Sequence, residues 1–287
     1  MHFKKYKSIL SPQNGMNIYR GCSHGCIYCD SRSNCYQMEH DFEDIEVKRD
    51  APLMLQDALK RKRKKGMIAT GAMSDPYIPL EKDLGYTRQC LEHIYQYGFG
   101  LTLQTKSSLM LRDLDLLEAI HRSTKCVVQM TITTFNDDLC RIIEPKVAST
   151  KERLEVMLKL RDRGIPIVVW ISPLLPFIND TAENLLGLLN YCKEAGVYGI
   201  MFFGAGMTLR EGNREYFYQQ LDHSFPGFKE KYKKTYSLNY GVLSQNHKSL
   251  WKIFHDFCQA QKIATGNDKL FAYLREFSSA SNEPTLW

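Results

Sequence analysis

The chain has 287 residues, 44% of them hydrophobic and 24% charged, with a formal net charge of +6. That composition is ordinary for a folded globular protein and excludes a disordered or fibrous chain. The length suits one large α/β domain with a C-terminal extension better than two independent domains.

The opening "MHFKKYKSIL" is too polar and too short for a signal peptide, and no apolar run approaches bilayer length. A cytoplasmic location without membrane contact is therefore expected. The nine cysteines are then reduced thiols or metal ligands rather than disulfides. Five of them, Cys90, Cys126, Cys140, Cys192 and Cys258, stand singly among apolar residues and read as buried small hydrophobes.

In chain order, apolar and β-branched runs recur at 16–20, 67–73, 99–107, 126–134, 165–173 and 198–206. Helical spacing fills the intervals. "TRQCLEHIYQYG" places Cys90, Leu91 and Ile94 on one face and stops at Gly98. "STKERLEVMLKLRDRG" opens with a Ser149–Glu152 capping box and stops at Gly164, and "DTAENLLGLLNYCKEAG" repeats the device with Asp180, Glu183 and Gly196. Near-continuous apolar strands alternating with capped helices predict parallel strands buried on both faces. Six such units predict a partial (β/α)6 barrel of the TIM type, in which chemistry sits at the C-terminal ends of the strands.

The polar punctuation falls on that rim. Cys22, Cys26 and Cys29 follow the first strand, Ser74 and Asp75 the second, Lys106 the third, and Thr131 and Thr133 close the fourth. Each alone has an innocent reading, a turn for Asp75-Pro76 or a surface position for Lys106. Their coincidence on one rim points to a shared pocket. Two basic features admit alternatives. "KRKRKK", Lys60 to Lys65, carries six positive charges, which leaves the remaining chain formally neutral (+6 − 6 = 0). It reads as a phosphate-binding patch or as the solvated end of a helix, where cations favour the dipole. Its lack of interleaved aromatics favours the second. Beyond Thr208 the stretch "FPGFKEKYKKTYSLNYG" suits base stacking or a helical cap over the barrel mouth, and the cap is favoured. In the last part, "SLWKIFHDFCQAQKI" reads as an amphipathic helix with Leu250, Ile253, Phe254 and Phe257 on one face.

The sharpest signal is Cys-x-x-x-Cys-x-x-Cys over Cys22, Cys26 and Cys29. A structural zinc site would need a fourth ligand, for which Cys35 is available, but no second two-ligand knuckle exists and His24 and His40 are not at knuckle spacing. A [4Fe–4S] cluster takes one thiolate per iron, so three cysteines leave one iron open to an exogenous chelate.

This spacing, with Tyr28 just before the third cysteine, resembles the signature of radical S-adenosylmethionine (SAM) enzymes. More narrowly, "YRGCSHGCIYC", "DFEDIEVKRDAP", "GAMSDPYIPLE", "QTKS", "DDLCRIIEP" and "GIPIVVWISPLLPFIND" resemble the spore-photoproduct-lyase-related, DNA repair photolyase-like family over residues 15–205. The resemblance implies a radical SAM partial barrel over 1–207 and an aromatic-rich helical extension over 208–287, packed on the barrel. It implies a [4Fe–4S] cluster on Cys22, Cys26 and Cys29 and reductive cleavage of SAM to a 5′-deoxyadenosyl radical that abstracts hydrogen. It also implies SAM contacts from the Tyr28 backbone, Ser74, Asp75, Lys106 (to the carboxylate) and Thr133 (near the ribose). The implied partners are SAM, a one-electron donor such as flavodoxin or ferredoxin, and DNA or RNA. In spore photoproduct lyase a hydrogen-donor cysteine stands just ahead of the second-strand Ser-Asp pair. Here Gly71, Ala72 and Met73 occupy that stretch. Tyr77 is a candidate hydrogen relay or a packing residue, Cys35 a candidate donor or a bystander, and Cys140 a packing residue. The rival reading from another class is a non-catalytic, zinc-stabilised nucleic-acid-binding protein with Cys35 as fourth ligand.

Overall fold

Six strands pair in chain order in the computed structural model, which describes residues 1–278. They are β1 (Gly15–Met16), β2 (Met67–Thr70), β3 (Gly100–Thr105), β4 (Cys126–Ile132), β5 (Ile167–Ile171) and β6 (Gly199–Met201), all parallel. β1 and β6 are the outer strands and do not pair with each other, Met16 and Gly199 bridging instead to Leu10 and Ala264, so the sheet forms the expected partial barrel rather than a closed one. The end of the expected extension, residues 279–287, lies outside the described residues.

Helices α1 (Ala51–Arg61), α2 (Tyr86–Gln96), α3 (Leu114–Ser123), α4 (Thr150–Asp162) and α5 (Ala182–Glu194) alternate with the strands. Every residue of β4 is buried, as helices outside and side chains within the barrel require. One layer of the barrel interior is polar, above an apolar one of Val127, Val168 and Met201. Gln129 donates to Thr102 Oγ1 at 2.8 Å and accepts from Trp170 Nε1 at 2.8 Å, so inward-facing amide, hydroxyl and indole groups satisfy one another.

The expected capping box at α4 forms: Glu152 N–H donates to Ser149 Oγ at 3.2 Å, and Ser149 N–H to Glu152 Oε2 at 2.6 Å. At α5 the cap differs from expectation. Thr181, not Asp180, accepts from the Asn184 N–H at 3.1 Å, because Ser244 donates to the Asp180 carboxylate instead. The first expected strand also divides. Gly15–Met16 pairs with β2, whereas Tyr19–Arg20 runs antiparallel to Glu46–Lys48 in a separate small sheet that also holds His2–Lys4. Two different partners pull the run apart at Asn17–Ile18.

After β6 come a hairpin of Gly206–Thr208 with Gly241–Leu243, enclosing α6 (Asn213–Ser224) and α7 (Phe228–Tyr236), then α8 (His247–Gln261) and α9 (Asn267–Arg275). Leu250, Phe254 and Cys258 of α8 join Leu185, Leu188, Leu189 and Cys192 of α5 in the main core. Ile253 and Phe257 are only partly buried against it. Phe217, Leu221, Tyr232 and Tyr236 form a second core with Cys26, Ile27, Tyr28 and Ile143. Tyr232 and Tyr236 of the lysine–tyrosine stretch are thus packing residues. Tyr232 is fully buried with its hydroxyl donated to the Pro176 carbonyl at 2.7 Å, so its ring offers no platform for a base. No helix among the described residues is long and apolar enough to cross a membrane.

Candidate functional site: a three-cysteine loop at the barrel mouth

The cysteine loop leaves the small sheet at Arg20 and turns through Gly21. That turn needs glycine: φ is +83°, and a Cβ would lie 2.4 Å from the Phe42 carbonyl oxygen. The Phe42 carbonyl accepts from the Cys22 N–H at 3.2 Å, the Ile143 carbonyl from the Ile27 N–H at 3.0 Å, and the Cys26 carbonyl from the Cys29 N–H at 3.3 Å. Backbone bonds to two separate segments thus fix the loop. Cys26 is buried, while Cys22 and Cys29 are partly exposed. Burial pushes the Cys22 thiol up to about 12 and the Cys26 thiol well above its ordinary value, so metal uptake must displace protons from both.

The three sulfurs do not all lie within 4.8 Å of one another. A single tetrahedral zinc with bonds of about 2.3 Å would hold its thiolates roughly 3.8 Å apart. Three thiols with no fourth cysteine lining the chamber fit a cluster that leaves one iron open. Cys35 is exposed and lies elsewhere, 3.1 Å from Arg210 Nη1, so the zinc reading loses its fourth ligand.

The rim is organised by Asp75. Its Oδ1 accepts from Thr105 Oγ1 and from the Tyr77 N–H, both at 2.8 Å, and its Oδ2 accepts from the Lys106 N–H at 2.8 Å. His24 Nε2 stands 3.1 Å from the same Oδ2, tying the cysteine loop to the ends of β2 and β3. Burial alone would push this carboxyl up, but His24 and the donated N–H groups hold it below the usual range. Ser74 Oγ donates to the Gly21 carbonyl at 2.6 Å. Both side chains are thereby committed within the protein, and the β2 segment offers a ligand its backbone. Gly71 brings that backbone against β3: φ is +99°, and a Cβ would fall 1.9 Å from the Gln104 carbonyl oxygen.

A chamber of about 100 Å³ is lined by Cys22, Cys26, Cys29, Gly71, Ser74, Asp75, Lys106 and Thr131. It adjoins a cavity of about 550 Å³, with which it shares Tyr28, Cys29, Ala72, Met73 and Lys106, and whose other walls include Tyr36, Pro173, Phe203, Met207 and Leu243. The sequence-selected Tyr28, Ser74, Asp75 and Lys106 thus converge with the cysteines. Lys106 Nζ lies 5.9 Å from the centre of the Tyr28 ring. Burial works against its charge, yet the Cys26 sulfur and the Glu144 carboxylate outweigh burial and raise its pKa above the ordinary lysine value.

Two selected residues are not brought to the chamber. Thr133 is fully buried beyond the end of β4, its carbonyl accepting from Asn179 Nδ2 at 2.8 Å and Asn184 Nδ2 at 3.1 Å. Tyr77 is fully buried with its hydroxyl donated to Asp113 Oδ2 at 3.0 Å, a packing position with no access to either cavity. "KRKRKK" ends α1 and leads into β2, at the opposite end of the strands from the cysteines. Lys60 and Arg61 lie in the last helical turn and the run is largely exposed, in keeping with the solvated helix end.

Sequence reasoning missed the support beneath the loop. Tyr28 donates its hydroxyl to Glu144, whose carboxylate also pairs with Arg153. Arg153 reaches the Thr131 carbonyl at 2.7 Å and the Ala148 carbonyl at 3.0 Å. Burial alone would raise the Glu144 pKa, but Arg153 and then Lys106 bring it below the usual carboxylate range. "DDLCRIIEP" contained Glu144 without a role, and nothing in the helical pattern of α4 set Arg153 apart from its exposed neighbours.

Comparison with known proteins agrees with this geometry. A protein of Mycobacterium tuberculosis strain H37Rv is 28% identical over 227 residues, 77% of this chain and 66% of its own length. A protein of Methanocaldococcus jannaschii is 34% identical over 174 residues, 60% of this chain and 64% of its own. The chain thus spans just under two thirds of the length of these curated relatives. Among solved structures, a spore photoproduct lyase variant superposes with a TM-score of 0.59 at 16% identity, covering 91% of this chain and 76% of that one. The methyltransferase TsrM of Kitasatospora setae, solved with cobalamin and a [4Fe–4S] cluster, gives 0.50 at 13% identity over 68% of this chain and 34% of its own. These likenesses establish a common fold. The Radical SAM superfamily profile matches residues 16–189, more than half of the chain, and the protein therefore belongs to the radical SAM superfamily, whose cofactors are a [4Fe–4S] cluster and SAM.

Proposed function

We propose that this chain cleaves SAM reductively on a [4Fe–4S] cluster held by Cys22, Cys26 and Cys29, and that the adjoining cavity admits a nucleic-acid-derived substrate for hydrogen abstraction. The observation that carries the reading is the convergence of three thiols with Lys106 and the Gly71–Ser74 segment on one chamber. Bound together, the cluster and SAM supply one-electron cleavage chemistry that generates a hydrogen-abstracting radical.

The chain's own residues do the rest. The cysteine loop presents three thiolates and leaves one metal position for the chelating end of SAM. Lys106, buried enough to strengthen any ion pair, sits where it can meet the SAM carboxylate. Asp75 and Ser74 hold the β2 backbone in place for the amino group, and the Tyr28 backbone borders the adenine position. Thr133 acts on the ribose only through the strand end it anchors. The 206–243 hairpin walls the adjoining cavity, where a bound substrate would help keep water from the reacting atoms. The nucleic-acid assignment draws on the likeness to spore photoproduct lyase, solved in complex with a dinucleoside spore photoproduct, and on Tyr36 and Phe203 in the cavity wall. A soluble one-electron donor of the flavodoxin or ferredoxin kind completes the reaction.

The test is anaerobic reconstitution with iron and sulfide, followed by dithionite and SAM. Release of 5′-deoxyadenosine and methionine, with label exchange between deuterated SAM and an oligonucleotide, is the expected result. Stoichiometric zinc without iron would overturn the cluster; 5′-deoxyadenosine without exchange into any oligonucleotide would overturn the substrate class alone.

A further inference from the structure

A second group of metal-ligating side chains lies on the small sheet, apart from the cysteines. His2 and Glu46 are register partners on adjacent parallel strands, and residues 40–44 fold over them. Ligand atoms of His2, His40 and Asp44 all lie within 4.8 Å of one another. Two imidazoles and a carboxylate are a donor set favoured by borderline divalent ions such as zinc, cobalt and nickel.

Glu46 supplies an independent pointer. Its side chain is 1% exposed, its Oε1 accepts from Tyr6, and its Oε2 has no hydrogen-bond partner among the described residues. That oxygen stands 3.6 Å from His2 Nε2 and 3.8 Å from His40 Nε2. The orientation of His40 sharpens the case. Its Nδ1 lies 3.0 Å from the Asp41 carbonyl, which can only accept, so Nδ1 carries a proton and Nε2 is the nitrogen left to face Glu46. That Nε2 is buried and without a hydrogen-bond partner. In the neutral ring that nitrogen can ligate a cation held between it and the carboxylate, and an imidazole anchored through its far nitrogen to a carbonyl is how ligand histidines are held. Lys4 Nζ, 3.3 Å from Glu46 Oε2, supplies part of the charge, but its side chain is 45% exposed and can leave. Asp44 Oδ1 pairs with the Met1 amine at 2.9 Å, and its Oδ2 lies 2.9 Å from His2 Nδ1.

We propose that His2, His40 and Asp44, completed by Glu46, bind a divalent cation of the zinc type. The site bears on the cysteine loop: Phe42, between His40 and Asp44, gives its carbonyl to the Cys22 N–H at 3.2 Å. A cation that pins residues 40–46 pins the backbone of the first cysteine.

Zinc chloride is titrated by calorimetry into the cluster-loaded chain and, to remove thiolate binding, into the triple variant Cys22→Ser, Cys26→Ser, Cys29→Ser. A single zinc per chain is expected in both. His40→Gln should weaken it by about 100-fold and abolish the zinc-dependent rise in melting temperature. Lys4→Met, a change at a partly exposed side chain, should tighten binding by removing the competing ammonium. The proposal is overturned if the triple variant takes up no zinc, if His40→Gln binds it as tightly as the wild type, or if Lys4→Met weakens it; the group would then be a salt-bridge network only.

Discussion

Arg153 and Glu144 form an ion pair in which neither side chain has any solvent exposure, directly beneath the loop that carries the three cysteines. Glu144 is also the acceptor for Tyr28, and Arg153 ties the pair to the end of β4 through the Thr131 carbonyl. Removing one partner of such a pair strands a charge in a dry interior, at a cost of about 3–5 kcal/mol. Arg153→Met should therefore lower the unfolding free energy by about that amount, read from urea titrations of the iron-free chain. Adding Glu144→Leu to Arg153→Met should recover much of the loss, since an apolar pair leaves no charge unpaired. If Arg153→Met costs less than about 1 kcal/mol, the pair does not support the loop.

The three thiols are the anionic soft ligands lining the chamber, and in the proposed cluster each would serve a different iron. Cys22→Ala, Cys26→Ala and Cys29→Ala should each lose the visible absorbance and bound iron of the reconstituted protein. Cys35→Ala should retain both, because Cys35 lies against Arg210, away from the other three. Iron and sulfide analysis after desalting decides it, and equal losses in the Cys35 variant would defeat the three-ligand assignment.

Lys106 borders both the chamber and the larger cavity, and on the proposed reading its ammonium pairs with the SAM carboxylate. A charge-assisted contact of this kind is worth about 1.5–3 kcal/mol, or roughly tenfold to a hundredfold in affinity. Lys106→Met should keep its iron yet bind SAM that much more weakly in anaerobic equilibrium titration. Lys82→Met, on an exposed loop helix, is the control. Equal SAM affinities in the two variants would place Lys106 outside the SAM site.

The pH dependence of stability follows from groups at both ends of the scale. Burial pushes the Cys258 thiol and the Tyr236 hydroxyl up to about 12. Their contribution is complete below the ordinary values, about 8.5 for a thiol and 10 for a tyrosine, and is lost as the pH climbs toward the folded-state values. Asp75 and Glu144, both held below the usual carboxylate range, contribute fully above about pH 4 and lose that contribution only in more acid solution. The iron-free chain should show a plateau in melting temperature between about pH 5 and 8, with losses on either side. A steady decline from pH 8 down to 5 would contradict the assignment.

The repeated strand–helix alternation was readable because parallel strands buried on both faces leave continuous apolar runs, and all six runs supply strands that are neighbours in chain order. The rim was readable for the same reason: strand ends fix which loops share a mouth. What escaped were relationships set by distant partners. Asp180 looked like a helix cap, but Ser244, sixty-four positions on, claims its carboxylate and leaves capping to Thr181. Thr133 was placed near the ribose by resemblance alone, yet β4 ends at Ile132 and Thr133 lies buried past the last ladder bond. Arg153 carried no local mark at all, since only the fold brings Glu144 beneath α4.

The core that Cys26, Ile27 and Tyr28 share with Phe217, Tyr232 and Tyr236 means that the metal seat has no interior of its own. A chain cut before the cap would turn Ile27 and Tyr28 toward water and undo the backbone that aims the thiols. The smallest piece able to hold iron is then larger than the strands and helices that surround it, and seat and cap can only be inherited together. Divergence in the cap is restrained by the iron as much as by whatever enters the mouth.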